Sequence, residues 1–111
     1  MLDIQMVGSV SILKARSALT GDSLAQCRKH LDECLSRRRS LIVLDLSDSP
    51  LIHSEGLEFI VDAQQRCLSH GGKLVVAEPQ PLCAEILSIT GVEACVAVFH
   101  DLRSALSDFA K

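Results

Sequence analysis

Leu2, Ile4 and Met6 alternate with more polar neighbours, Gly8-Ser9 follows, and Val10, Ile12 and Leu13 resume the apolar pattern. A period of two broken by a small two-residue turn predicts a β-hairpin. The period then lengthens. Leu24, Cys27, Leu31, Cys34 and Leu35 recur at helical spacing, with Asp22 or Ser23 placed to cap the helix. Leu41 to Leu46 is apolar but for Asp45, the mark of a central strand covered on both faces. Ser54 opens a second amphipathic helix, with Leu57, Ile60, Val61, Cys67 and Leu68 read as facing inward and Gly71-Gly72 ending it. Lys73 to Ala77 predicts a strand, Pro81 to Ile89 a short helix, and Ala94 to Phe99 a last strand after the break at Gly91. Asp101 is placed to cap a final helix containing Leu102, Leu106 and Phe109.

Strands alternating with helices from Leu41 onward imply βαβ units. The expected fold is one α/β domain over residues 1–111, with a mixed, mostly parallel sheet, an N-terminal antiparallel hairpin and helices packed on it. A chain of 111 residues is long enough for one real core. Aromatic residues are 3%, with no Trp or Tyr, so the core is aliphatic and platforms for stacking nucleobases are nearly absent. The net charge of −3 also argues against direct nucleic-acid binding. The Arg37-Arg38-Arg39 run follows a helical segment, where cations complement the helix dipole.

No apolar stretch approaches the roughly 20 residues of a bilayer span, and no basic-then-apolar leader opens the sequence. The five cysteines are odd in number and lack close metal-type pairs, which suits a reducing cytoplasm. With neither a coiled coil nor a long edge strand visible, a cytoplasmic monomer without membrane insertion is expected.

Phosphate-cradling glycine loops are absent after every strand, which leaves no cofactor motif. Cys27, His30 and Cys34 share one helix, yet both cysteines fall on the stripe of Leu24 and Leu31, where a thiol acts as a small hydrophobe; no metal site is assigned. His53 adjoins Ser54, but no nucleophile elbow or orienting group accompanies them, so no catalytic residue is assigned either. Asp45 and Asp48 superficially suit a phospho-aspartate receiver, but the early acidic pair and late lysine of such a site are missing.

Ser54 remains. At a helix N-terminus it is either a cap or a phosphorylation site, since unpaired N–H groups and the dipole attract negative charge there. A strict capping box would place Glu or Gln at the position of Leu57, and Glu58 comes one residue late. Gly56 leaves space beside the serine, either for a partner's approach or for tight packing. Phe59 falls off the main inward stripe, as an exposed contact or a secondary core residue.

Asp45-Leu46-Ser47, the spacer to Ile52, Ser54-x-Gly56-Leu57, Gly71-Gly72-Lys73-Leu74-Val75-Val76 and Leu87-x-x-x-Gly91 together resemble the STAS family, of the bacterial anti-sigma factor antagonist type. The order of elements agrees over nearly the full chain. The resemblance implies a non-enzymatic partner-switching protein that regulates transcription. In its unphosphorylated form it would bind an anti-sigma factor that is also a serine kinase. Phosphorylation at Ser54 would release it, and a serine phosphatase would reset it. The partner surface so implied comprises His53, Ser54, Glu55, Gly56, Leu57 and Phe59. Where the family has Asp before the serine this chain has His53, and where it prefers Ser or Thr after it this chain has Glu55. A second reading, from related STAS modules, is an unphosphorylated docking subunit of a membrane transport system.

Overall fold

In the computed structural model, which describes residues 2–110, the hairpin forms as its pattern predicts. Strands β1 (Leu2–Val7) and β2 (Val10–Ala15) pair antiparallel, with Val7 opposite Val10. Gly8 adopts φ +60° at the first turn position, the left-handed geometry that a tight hairpin asks of glycine. Strands β3 (Leu41–Asp45), β4 (Lys73–Ala77) and β5 (Val98–Phe99) follow in spatial order β1-β2-β3-β4-β5, parallel from β2 onward. The crossovers are α1 (Gly21–Ser36), α2 (Ser54–Ser69) and α3 (Pro81–Ile89), and α4 (Leu102–Phe109) closes the chain.

Helices cover the sheet on both faces, so β3 is apolar from Leu41 to Leu44 and only its last residue, Asp45, is charged. Ile42 and Leu44 pack with Leu24, Cys27 and Leu31 of α1, Ile60 of α2 and Leu87 of α3 in the larger core. Val43 and Val75 face the other way, against Ala105, Leu102, Leu106 and Phe109 of α4. Each fully buried Leu or Ile contributes about 1.5–3 kcal/mol of transfer free energy, so this aliphatic double core replaces the missing aromatics.

Three expectations are corrected. Helix α1 starts at Gly21 with Thr20 as its N-cap and no side-chain cap bond; Asp22 and Ser23 lie inside the first turn, and Ser23 pairs its hydroxyl with Ser17 at 2.6 Å. The strand expected over Ala94 to Phe99 shrinks to Val98–Phe99. Gly91 at φ +80° opens a 3-10 turn over Val92–Ala94, and the N–H groups of Cys95 and Val96 return to the Val92 carbonyl instead of joining the sheet. The third concerns edges. Strand β5 is a two-residue edge, but β1 is a six-residue edge paired only to β2.

Asp101 caps α4 as expected, accepting from the Ser104 backbone N–H at 2.7 Å and from its hydroxyl at 3.1 Å. These bonds hold its carboxyl below the usual carboxylate range. A carboxyl with a depressed folded-state value stabilises above its unfolded value, and that contribution is lost as pH falls through the folded value. Asp101→Ala is therefore expected to lower the melting temperature at neutral pH, with the gap to wild type closing in acid. Melting curves across pH check this, and a constant gap would show that the cap does not act through the ionised carboxyl.

Candidate functional site

The loop from Leu46 to His53 carries the chain from the carboxyl end of β3 to α2, and its backbone is tied down along its length. Asp45, 4% exposed, accepts from the Ser47 N–H at 2.9 Å. Gln80 donates to the Ser47 carbonyl at 2.8 Å. The buried Ser49 hydroxyl donates to the Ser17 carbonyl at 2.8 Å, while its own carbonyl accepts from the Cys83 thiol at 3.2 Å. Leu19 donates its N–H to the Leu51 carbonyl at 3.3 Å and bridges to Ile52. The start of α2 is thus held on a rigid support.

Ser54 is the first residue of α2 and exposed, so the helix starts where it was read, and of the two roles left open for this serine the cap is not the one it fills. The N-cap is His53, extended at φ −92° and ψ 172°, and no side chain caps this helix. The His53 carbonyl accepts from the N–H groups of Gly56 at 3.0 Å and Leu57 at 3.1 Å. The Ser54 hydroxyl is therefore free of the capping role that most often explains a serine at a helix start.

The residues around it divide into two groups. His53, Ser54 and Glu55 are exposed and Leu57 is half-buried, which leaves them available to a partner. Gly56 and Phe59 are inside. A Cβ on Gly56 would sit 2.8 Å from the Leu19 carbonyl oxygen and 3.0 Å from Cγ2 of Ile52, so the missing side chain serves internal packing rather than a partner's approach. Phe59 is 3% exposed and belongs to the main core, which corrects its reading as an exposed contact. Helix α2 packs on both β4 and α1, and its buried stripe is Gly56, Phe59, Ile60, Ala63 and Cys67, rotated from the expected one. Leu68, expected inside, is 56% exposed for the same reason.

Beside Ser54, α2 and the α3–β5 connection enclose an open groove of about 490 Å³, lined by Ser54, Leu57, Glu58, Val61, Asp62, Thr90 and Val92. Its floor is aliphatic, and its charged lining consists of the two carboxylates. Ile89, next to Thr90, is 76% exposed. Sequence reading missed this groove because Thr90 and Val92 come from a distant segment. The available signal was an apolar arc on α2, from Leu57 and Val61 round to Phe59, too wide for one packed stripe. Asp48 does not add to the charge at Ser54 alone, since it lies 3.7 Å from both Lys14 and Arg16.

The other candidate chemistry separates in space. Cys27 and Cys34 are buried while His30 sits 3.4 Å from Glu33, and no group of three metal-type ligands occurs among the described residues. Burial pushes the Cys27 and Cys67 thiols up to about 11, so both stay protonated and unreactive near neutral pH. Among the described residues no helix is long and apolar enough to cross a membrane.

Comparison with known proteins finds matches over nearly the whole chain. The family model of the STAS domain matches residues 1–105. The chain is 28% identical over 109 residues to the TM1081 homologue of Thermotoga neapolitana, a candidate anti-sigma factor antagonist, covering 97% of this chain and 96% of that one. The crystal structure of the Thermotoga maritima protein TM1081 matches with a TM-score of 0.92 at 25% identity, over 99% of this chain and 95% of that one. SpoIIAA, a cell-fate determinant of Bacillus, matches in its unphosphorylated form with a TM-score of 0.84 over 99% of this chain and 96% of its own. Its phosphorylated form matches at 0.77, over 98% and 99%. At 12% identity the SpoIIAA likeness is one of fold alone.

Proposed function

The chain belongs to the STAS domain family, and we propose that within it this protein is an anti-sigma factor antagonist switched by phosphorylation of Ser54. Unphosphorylated, it binds an anti-sigma factor with serine kinase activity through His53, Ser54, Glu55 and Leu57. Phosphorylation releases that partner, a serine phosphatase restores binding, and transcription follows the fraction of sigma factor set free. The protein contributes a surface rather than a reaction, and it works in the cytoplasm, where sigma factors act.

The observation that carries this reading is the exposed Ser54 hydroxyl, at the first position of a firmly supported helix and without a capping bond. A kinase can reach it, and its modification costs the fold no existing contact. A phosphate adds about −1.5 to −2 charges near neutral pH. It would join Glu55 and Glu58, and the segment from Leu41 to Asp62 supplies no Lys or Arg to clamp it. Added charge at a docking surface disfavours the complex by repulsion and by the cost of desolvating the phosphate.

The test compares wild type, Ser54→Ala and Ser54→Asp as baits in a lysate of the source organism, with recovered proteins identified by mass spectrometry. Wild type and Ser54→Ala are expected to retain a small anti-sigma ATPase that Ser54→Asp loses. If all three retain the same permease or transporter subunit, Ser54 is not a switch and the docking-subunit reading replaces this one.

A further inference from the structure

Three of the molecule's exposed large apolar side chains lie on one strand: Ile4 at 40%, Met6 at 53% and Val7 at 42%. That strand is β1, the long edge of the sheet. Natural proteins blunt such an edge with Lys, Pro, a bulge or a covering element. Strand β1, Leu-Asp-Ile-Gln-Met-Val, has none of those residues, and it runs in unbroken register along β2. Its one charged residue, Asp3, is engaged by Arg16 of its own chain.

The hairpin register fixes which backbone groups are free. In an antiparallel pair joined by a two-residue turn, the closing residues exchange both hydrogen bonds, and bonding residues then alternate. Val7 closes the turn, so Val7, Gln5 and Asp3 direct their N–H and C=O groups to β2. Leu2, Ile4 and Met6 direct theirs outward. The same three residues lie opposite Ala15, Leu13 and Ser11, so their side chains share the face of the sheet that α1 covers.

We propose that β1 pairs antiparallel with β1 of a second copy of this chain, about a twofold axis through Ile4, joining two sheets into one. In this register Ile4 meets Ile4 and Leu2 meets Met6 of the partner, and each of these pairs exchanges both of its hydrogen bonds. Every free N–H and C=O of Leu2, Ile4 and Met6 is satisfied, and their side chains form one continuous apolar row. A register shifted by one residue would set outward-facing groups opposite inward-facing ones. An isologous interface must also be complementary to itself in charge. Along β1 this pairing meets that condition, because Asp3, already engaged by Arg16, falls opposite the uncharged Gln5 of the second copy. This distinguishes it from the groove at Ser54, whose charged lining is acidic only. The Ser54 groove lies between α2 and the segment leading to β5, away from the β1 edge, so a dimer would present two such surfaces at once.

The interface is small, so association should appear in the micromolar range. Sedimentation equilibrium of the whole chain over a concentration series tests it. Wild type is expected to rise from 12.0 kDa towards twice that mass, while Ile4→Lys and Met6→Lys stay monomeric. Both positions are solvent-exposed in the monomer, and unchanged melting curves will show that the variants fold. The register is tested in a Cys95→Ser background: paired residues about 5.5 Å apart between Cα atoms lie within disulfide reach, so Ile4→Cys is expected to form a disulfide-linked dimer on mild oxidation and Gln5→Cys is not. A wild-type mass of 12.0 kDa at every concentration overturns the proposal. So does dimerisation that both lysine variants leave intact.

Discussion

Gly72→Ala is expected to destabilise the domain by about 3 kcal/mol or more, at or beyond the upper end of the 1–3 kcal/mol typical of overpacking. A Cβ at this position would lie 2.1 Å from the carbonyl oxygen of Ser40, 2.4 Å from its hydroxyl oxygen and 2.5 Å from its carbonyl carbon. Two of the three atoms are backbone, so no change of rotamer relieves the clash. The backbone cannot easily withdraw either. Gly72 donates to the Cys67 carbonyl at 2.9 Å to close α2, and Lys73 donates to the Ser40 carbonyl at 3.0 Å to begin β4. Separating the two segments would break the junction of β3 and β4 at the centre of the sheet. Urea denaturation checks this, and a midpoint equal to wild type would show that the junction tolerates a methyl group.

Phe59→Ala should be nearly as costly, about 3–5 kcal/mol, through lost transfer free energy and the cavity left behind. Domains of this kind are stable by only about 5–15 kcal/mol in total, so the variant would lie close to unfolding at ordinary temperatures. The result separates two roles for this ring. A core residue lowers the denaturation midpoint, whereas a surface contact would leave stability intact and reduce only partner binding. Phe59 is 3% exposed, and the first result is expected.

These two residues also show where sequence reading reaches its limit. The hairpin, the apolar run of β3 and the start of α2 at Ser54 were legible because each rests on a pattern of near neighbours: alternation, an unbroken apolar stretch, a serine before a helical period. Gly72 reads like any helix-ending glycine, and its neighbour Gly71 does hold the left-handed φ of +83°. The need at Gly72 is created by Ser40, a residue from another strand. Phe59 and Leu68 were misplaced because helical periodicity gives the width of an apolar face but not which neighbouring helix it meets. The same limit applies to β5, where Val92 and Val96 are buried as a strand would bury them but are set in a 3-10 turn and its exit.

The start of α2 shows the same division. His53, Ser54 and Glu55 are exposed and Leu57 is half-buried, whereas Gly56 packs on the Leu19 backbone and Phe59 in the core. What remains outside is a small, firmly supported surface with carboxylates around one free hydroxyl. Such a surface can change its charge without changing its fold, which is the property a phosphorylation switch requires.

The most direct measurement is the affinity of the recovered anti-sigma factor for this protein with and without phosphate on Ser54, by titration calorimetry at fixed ionic strength. A decrease of at least about a hundredfold on phosphorylation, about 2.7 kcal/mol, is predicted. Equal affinities for the two forms would contradict the account.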